Sequence, residues 1–241
     1  MSQTTHSGKA RTVGAMFERI APRYDLMNQL MSMGLDRNWR RLAVQAASPA
    51  PGSLVLDVGA GTADLTVALA RDGRPRRIVG ADLSSGMLAR GIDKARSTRL
   101  AGCLDLVQAD VLYLPFANCR FDCITTAFMV RNLADLPAAL SEMRRVLVGS
   151  GRLVILEITR PRPGLIGDLF SLYFHRVVPL IGSLVSGDSA AYSYLPASVD
   201  RFLSAEALSA ELVQAGFNEV RFRRLGPGPV ALHVAVRKDA G

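Results

Sequence analysis

Cysteine and histidine are scarce in this chain of 241 residues, which has three of each. Cys103, Cys119 and Cys123 lie close together, but no pair of cysteines or histidines has the spacing of zinc ligands. An odd number of cysteines also argues against a disulfide framework. We therefore expect free thiols in a reducing compartment and no metal site.

The chain also lacks internal repeats, low-complexity tracts and an apolar segment near its start. Residues 1–9 are polar, and residues 1–12 are expected to form a frayed tail, so we expect a cytoplasmic protein. Apolar residues make up 49% and charged residues 21%, which is the composition of an ordinary globular domain. The length predicts one α/β domain with, at most, a small lid.

Acidic residues are outnumbered by basic ones, 21 to 29, which gives a net charge of +8. Such a surface favours anionic partners, and we expect transient contact with an anionic membrane surface. The basic residues are spread along the chain and form no run of five or more, so we expect a solvated face and no nucleic-acid partner. The oligomeric state stays open, a homodimer included.

Short apolar runs that alternate with helical patterns predict the fold class. We expect an α/β, doubly wound, mostly parallel seven-stranded sheet with an antiparallel last strand, and a ligand site at the carboxyl ends of the strands. The predicted strands are 54–58, 77–82, 104–109, 121–127, 152–157, 220–224 and 230–236.

Two segments are predicted to form a lid over this domain. Residues 1–50 form an N-terminal helical segment, in which Gly34 interrupts the helical pattern, and residues 51–241 form the domain itself. An apolar insertion at about 162–200 contains a stretch long enough to raise the question of a membrane span. Asp168, His175, Arg176 and Pro179 interrupt it, which favours a lid with an apolar face.

A glycine loop follows the first predicted strand. Gly59 and Gly61 allow a tight turn and a close approach of the backbone to a ligand. A dinucleotide-binding loop would have a third glycine where Asp64 stands. Asp57 precedes the glycines and suits the ammonium group of a methionine better than a pyrophosphate. The loop therefore favours S-adenosyl-L-methionine over a dinucleotide.

Two further carboxylates end the next two strands. Asp82 lies 21 residues after Gly61 and can accept hydrogen bonds from both ribose hydroxyls, and Asp110 can meet the adenine amino group. Acids at the ends of three successive strands match the groups of S-adenosyl-L-methionine. The alternative is that these acids only cap helices.

Several motifs in the same order resemble the ubiquinone/menaquinone C-methyltransferase family, from about Met16 to the C-terminus. They begin with an N-terminal signature and include the glycine loop, an Arg-Asn motif and a tyrosine-rich motif: residues 16–28, 34–40, 57–66, 127–132 and 192–198. The family methylates demethylmenaquinol or 2-polyprenyl-6-methoxy-1,4-benzoquinol, so the resemblance implies a prenylated quinol substrate. Ala63 and Met129 stand where the family usually has glycine. Ala63 lies near the methionine end and should be tolerated, whereas Met129 lies near the expected substrate pocket and leaves the ring specificity open.

The resemblance and the residues together give the candidate site. Methylation of a ring carbon needs a phenolate beside it, which Arg131 would stabilise while Asn132 and Tyr24 hold a ring oxygen. In the alternative readings, Arg131 pairs with a surface acid, Asn132 caps a helix and Tyr24 only packs. The candidate cofactor residues are Thr62, Asp82, Asp110 and Val111 by resemblance, and Asp57, Gly59 and Gly61 by the argument above.

Other functions remain open at this point. The apolar lid also suits a methyltransferase for another apolar acceptor. The positive charge alone suggests an RNA methyltransferase, and a cofactor-binding regulator without turnover is a third alternative. His233 is predicted to be structural.

Overall fold

The computed structural model describes residues 13–98, 100, 102–186, 189–226 and 228–238, without the side chains of 183–193. The predicted N-terminal tail, Pro227 between the last two predicted strands, and the side chains of Tyr192 and Ser193 in the tyrosine-rich motif lie outside these residues.

The described residues form one seven-stranded sheet with strand order β3-β2-β1-β4-β5-β7-β6. Strands β1 to β5 are mutually parallel, and β7 runs antiparallel to both β5 and β6. The predicted α/β fold with an antiparallel last strand is therefore confirmed. The strands are β1 (Leu54–Val58), β2 (Arg77–Asp82), β3 (Leu104–Gln108), β4 (Phe121–Ala127), β5 (Leu147–Ile158), β6 (Asn218–Arg224) and β7 (Val230–Val236).

Helices cover both faces of the sheet, which is why the central strands are apolar along their length. The helices are α1 (13–20), α2 (Tyr24–Met31), α3 (Leu35–Ala47), α4 (Asp64–Ala68), α5 (Ser85–Ser97), α6 (Leu136–Val146), α7 (Leu165–Leu172), α8 (Val178–Ser186), α9 (Ser189–Arg201) and α10 (Ala205–Gln214).

Successive side chains of β1 enter the two halves of the core. Leu56 packs in the half that α6 and α10 cover, and Val55 packs in the half that α3, α4 and α5 cover. This alternation is the period-two pattern of a strand that is buried on both faces. The loops at the carboxyl ends of the strands are thereby held on a rigid base.

Strand β5 begins five residues earlier than the predicted start at Arg152. Leu147 pairs with Phe121 of β4 across a register shift, and Ser150 and Gly151 exchange backbone hydrogen bonds with Arg237. The glycine-containing segment 148–151 resembles a turn in sequence. Its pairing with residues far along the chain makes it a strand.

The apolar insertion folds onto the N-terminal helices. Phe174 and Val178 are buried against Val199, and the Tyr173 hydroxyl donates to the Met31 carbonyl (3.0 Å). One helical run, Leu165–Gly182, is long and apolar enough to cross a membrane, and 17% of it is buried within the protein.

Candidate active site

The loop after β1 turns tightly and is hydrogen-bonded to the neighbouring strand β2. Gly59 and Gly61 have φ angles of +70° and +55°, and the amides of Gly59 and Ala60 both donate to the Ala81 carbonyl of β2. A Cβ on Gly59 would lie 2.7 Å from Cβ of Met129, so only glycine fits there. Ala63 has a φ of +65°, a left-handed conformation that glycine adopts more readily than alanine.

Asp57 lies behind this loop. It is 1% exposed, and its two carboxylate oxygens accept hydrogen bonds from the hydroxyls of Thr66 (2.6 Å) and Thr125 (2.8 Å). Burial raises its pKa to about 6 from an ordinary value of 3.8. This geometry gives Asp57 a supporting role beneath the loop, and its direct contact with the cofactor stays a prediction.

Asp82 lies at the end of β2 and faces a cavity. Its carboxylate accepts the backbone amides of Gly61 (2.8 Å) and Ser84 (2.9 Å), so it also fixes the glycine loop. Burial raises its pKa, and these amides partly offset that rise. Each carboxylate oxygen keeps a second lone pair for a ligand hydroxyl.

A cavity of about 940 Å³, open mouth included, lies at the carboxyl ends of β1, β2 and β4. Gly59, Gly61, Asp82, Asp110 and Val111 all line it, as the sequence predicts. Asp82 and Asp110 are the charged residues in the described wall of this cavity, and both are acids. That wall fits the cationic S-adenosyl-L-methionine and is unsuited to a pyrophosphate.

Thr62 lies at the edge of this arrangement. It is 2% exposed, and its hydroxyl donates to Asp25 (2.5 Å) and accepts from Lys94 (3.3 Å). Lys94 also forms ion pairs with Asp25 and with Asp64. Thr62 thus joins the loop to α2, and its predicted contact with the cofactor stays a prediction.

A second attachment ties α1 to the domain. The Glu18 carboxylate accepts from the hydroxyls of Ser84 (3.0 Å) and Ser85 (3.3 Å) and from the Gly86 amide (3.0 Å) at the N-terminus of α5. These bonds, led by that of Gly86, lower the pKa of Glu18. The N-terminal helices therefore close the cofactor cavity, where Phe17 and Tyr24 form part of the wall.

A second cavity of about 890 Å³ adjoins the first. The two share Phe17, Tyr24, Phe128 and Asn132 as wall residues. The rest of the second wall is largely apolar and comes from the N-terminal helices, the insertion and the ends of β5 and β7: Met16, Ile20, Met27, Met31, Trp39, Ile158, Phe170, Phe174, Leu195 and Val230. We call this space the acceptor cavity.

Arg131 lies in the wall of the acceptor cavity, paired with a buried acid. Its guanidinium donates to Glu157 Oε1 (2.6 Å) and to the Phe128 carbonyl (2.5 Å), and its backbone amide donates to Glu157 Oε2 (3.2 Å). The side chains of Arg131 and Glu157 are 7% and 0% exposed. The alternative prediction that Arg131 pairs with a surface acid is therefore wrong, because its partner Glu157 lies inside the sheet.

Asn132 and Tyr24 stand where the two cavities meet. The Asn132 amide oxygen accepts from the Tyr194 hydroxyl (3.3 Å). Burial raises the pKa of Tyr24 and of Tyr194, so each hydroxyl stays a neutral donor at ordinary pH. The structure thus brings Arg131, Asn132 and Tyr24 together at one wall, as predicted.

Four residues of the site were missed by reasoning from single residues. Glu157 ends a predicted strand and Tyr194 lies in the tyrosine-rich motif, but nothing in their local pattern predicts their partners. Glu18 and Asp25 occupy the N-terminal signature, where acids on the exposed side of a helix look like ordinary surface residues. His233 is buried and bonds the Ala205 carbonyl (2.8 Å), in agreement with its predicted structural role.

Solved structures share this architecture at low sequence identity. A [4+2]-cyclase, SpnF, matches 96% of this chain and 97% of its own with a TM-score of 0.71 and 18% identity. A methyltransferase from Thermotoga maritima described as S-adenosylmethionine-dependent matches 93% and 99% with a TM-score of 0.67 and 17% identity. These likenesses establish the fold.

Sequence relatives are much closer. A demethylmenaquinone methyltransferase of Thermus thermophilus is 45% identical and covers 92% of this chain and 100% of its own. That of Bacteroides fragilis is 39% identical, over 95% and 94%. The ubiquinone/menaquinone biosynthesis C-methyltransferase UbiE of Pseudomonas aeruginosa is 38% identical, over 97% and 95%.

The family model of the ubiE/COQ5 methyltransferases matches residues 4–237. This match spans nearly the whole chain and includes the glycine loop, the acids of the cofactor cavity and the Arg131 motif. The chain therefore belongs to the ubiE/COQ5 methyltransferase family and is an S-adenosylmethionine-dependent methyltransferase.

Proposed function

We propose that this enzyme methylates a ring carbon of a prenylated quinol, demethylmenaquinol or its benzoquinol counterpart, in menaquinone or ubiquinone synthesis. One observation carries the proposal: an acid-lined cofactor cavity shares a wall with an apolar cavity that contains Arg131. The apolar part suits a prenyl tail, and the shared wall suits the ring. The names of the relatives point to the same substrates.

The cofactor, when bound, supplies a methyl group on a positively charged sulfur. The task left to the protein is to prepare the acceptor, since a ring carbon is a weak nucleophile. A neighbouring hydroxyl that loses its proton makes the carbon electron-rich. A water-poor apolar cavity strengthens any charge that faces the resulting oxyanion.

Arg131 is the side chain that lowers the cost of that oxyanion. Its guanidinium stays charged at all ordinary pH values and so acts as an electrostatic partner, while the proton leaves to water. Glu157 and the Phe128 carbonyl hold the guanidinium in one orientation. Such preorganisation means that little rearrangement is needed when the charge develops.

Asn132 and Tyr24 orient the ring at the shared wall. Both side chains line the two cavities, so either one can contact a ring oxygen beside the cofactor. Tyr194 fixes the Asn132 amide by donating to its oxygen. Correct placement of the ring carbon against the methyl donor is itself a large part of such catalysis.

Quinone analysis by mass spectrometry tests the proposal. A bacterial strain that lacks its own quinone C-methyltransferase would be analysed with and without this chain. Return of methylated menaquinone or ubiquinone is expected, and the product identifies the ring. If only demethyl quinones remain while the protein is folded and binds S-adenosylmethionine, the acceptor is a different apolar molecule.

We further propose that a cytoplasmic form of this enzyme docks on anionic membranes to reach its substrate. Helices α2, α7 and α8 and the turn after α2 expose large apolar side chains: Leu26, Leu30, Met33, Leu165, Ile166, Leu169, Leu172 and Leu180. Phe170 and Phe174, from the same insertion, line the cavity itself. The net charge of +8 suits an anionic leaflet.

Vesicle sedimentation tests the docking. We expect binding to vesicles that contain phosphatidylglycerol, weaker binding at high salt, and weaker binding of the Leu165→Ser/Leu169→Ser variant. Val213→Ser is the matched control because Val213 is equally exposed (58%, as Leu169) but lies on α10. Binding that is insensitive to salt and to both α7 substitutions would contradict the proposal.

A further inference from the structure

A second buried ion pair lies in the acceptor cavity. Asp36 and Arg40 of α3 are each 7% exposed, form a direct ion pair and line the cavity wall. The Ser32 hydroxyl donates to the Asp36 carboxylate (2.9 Å). The mechanism proposed above uses neither residue.

Phe128 contacts both Arg40 of this ion pair and Arg131. The Arg40 guanidinium lies 5.5 Å from the centroid of the Phe128 ring, and Arg131 donates to the Phe128 carbonyl. The two guanidinium groups therefore approach Phe128 from different sides, one at the ring and one at the backbone. The charged side chains in the described wall of the acceptor cavity are thus Arg131 and the Asp36–Arg40 pair, on either side of Phe128.

Structural support alone does not account for Arg40. Its other acidic neighbour, Asp64 (3.5 Å), already pairs with Lys94, so Asp64 has a counter-charge without Arg40. Burying an ion pair carries a desolvation cost that apolar residues of the same volume avoid. Polar groups placed singly in apolar ligand cavities commonly fix the orientation of the ligand.

We propose that the Asp36–Arg40 pair binds the second ring oxygen of the quinol, across the ring from the oxygen that Arg131 and Asn132 hold. A hydroxyl both donates and accepts a hydrogen bond; Asp36 offers the acceptor and Arg40 the donor. Arg40 is thus a specificity-determining residue that selects acceptors with two ring oxygens. This inference rests on the proposed function.

Two acceptor substrates that differ by one ring hydroxyl test this inference. The substrates are 2-geranyl-1,4-naphthoquinol and the matching naphthol that keeps only the hydroxyl beside the methylated carbon, both assayed anaerobically with wild type and Arg40→Gln. Arg41→Gln is the matched control, because Arg41 is the exposed neighbour and bonds only the side chain of Asn38 among its described contacts. The measurement is kcat/KM for each pair.

We expect the wild type to prefer the diol by on the order of 100-fold or more, since a site built for a hydroxyl rejects the analogue without it. Arg40→Gln should lower that preference at least ~10-fold, mainly through a higher KM for the diol, as expected for one lost polar contact. Arg41→Gln should keep the wild-type preference. The difference in intrinsic ring reactivity cancels, because it is the same for every variant.

An equal loss of kcat/KM on both acceptors in Arg40→Gln would overturn the inference and leave the proposed function intact. If the wild type methylates neither acceptor while binding S-adenosylmethionine, the proposed function fails and the inference fails with it. Should Arg40→Gln not fold, as judged by thermal unfolding, Arg40→Lys and Asp36→Asn measure the same preference. A wild-type preference in both of these variants would also overturn the inference.

Discussion

Three carboxylates near the carboxyl ends of the strands differ in their surroundings. Asp57 accepts from two hydroxyls, Asp82 from backbone amides, and Glu157 from the Arg131 guanidinium and from the amides of Arg131 and Ile158. These surroundings decide what each acid does. Burial makes Asp57 costly to ionise although two hydroxyls donate to it, amides let Asp82 fix the loop, and Glu157 holds the Arg131 guanidinium in place.

Replacement of Asp57 by asparagine should change how stability depends on pH. The fold raises the pKa of Asp57 from 3.8 to about 6, so the folded protein binds the extra proton and this group destabilises it as pH rises through that range. The difference of roughly 2 in pKa corresponds to about 3 kcal/mol. Relative to wild type, Asp57→Asn should therefore gain about that much stability between pH 4 and pH 7.

Denaturant unfolding of both proteins at each pH measures this difference, and the other titrating groups cancel in the comparison. Asp122→Asn is the control for an exposed carboxylate on the same sheet. A stability difference between wild type and Asp57→Asn that is constant from pH 4 to pH 7 would show that Asp57 titrates normally.

Arg131→Lys should lower kcat by about 100-fold, the usual effect of losing one preorganised donor to an oxyanion. Lysine keeps the positive charge beside Glu157 but not the planar fork that bonds Glu157 and the Phe128 carbonyl together. Steady-state kinetics measure the loss of kcat, and a separate S-adenosylmethionine binding assay measures cofactor affinity. Arg120→Lys is the exposed control; unchanged kcat in Arg131→Lys would remove Arg131 from the mechanism.

At the scale of elements, the N-terminal helices act as a cover held by two acid attachments. Glu18 binds the N-terminus of α5, where free amides and the helix dipole favour a carboxylate, and Asp25 binds Thr62 and Lys94. Phe17 and Tyr24, which stand beside these acids in the chain, form part of the cofactor cavity wall. The cover therefore has to loosen when the cofactor exchanges.

Gly86→Ala should weaken this cover without weakening α5. A Cβ at position 86 would overlap the Glu18 carboxylate, whereas alanine itself favours the helix. We expect S-adenosylmethionine to dissociate several-fold faster in stopped-flow measurements, by analogy with the ~1 kcal/mol of a lost cap. Gly102→Ala is the control, since a Cβ there meets nothing within 4 Å, and equal rates in both variants would contradict the role of Glu18.

At the scale of the whole molecule, the two cavities exist only where distant parts of the chain meet. The cofactor cavity combines α1 and α2 with loops after β1, β2, β3 and β4, and the acceptor cavity adds the insertion and β7. A ligand that fills such a space stabilises all these parts together. Ligand binding should therefore be visible in the unfolding of the entire domain.

S-adenosylhomocysteine or S-adenosylmethionine at 100 times its Kd should stabilise the protein by about 2.7 kcal/mol. For a domain of this length that corresponds to a rise in Tm of roughly 5–10 °C, measured by calorimetry. NADH at the same concentration is the control and should leave Tm unchanged, because the cavity wall is acidic. A larger shift with NADH would contradict the assignment of the cofactor cavity.

The sequence alone determined the fold class, the glycine loop and the positions of Asp82 and Asp110. These features depend on local order: an apolar strand, then a turn, with all parallel strands ending at one edge of the sheet. Tyr24, Arg131 and Asn132 were also found, through motifs whose residues stay adjacent in the chain. In each case a short stretch of sequence contains the physical cause.

The tertiary structure decided which partners these side chains have. Asp57 turns to Thr66 and Thr125 beneath the loop, and Arg131 meets Glu157, which lies 26 residues further along the chain. Such pairs depend on which strands are neighbours and on how the N-terminal helices and the insertion pack across the strand ends. Local sequence carries no record of that packing, because a buried acid and a surface acid have the same letter until the neighbours are placed.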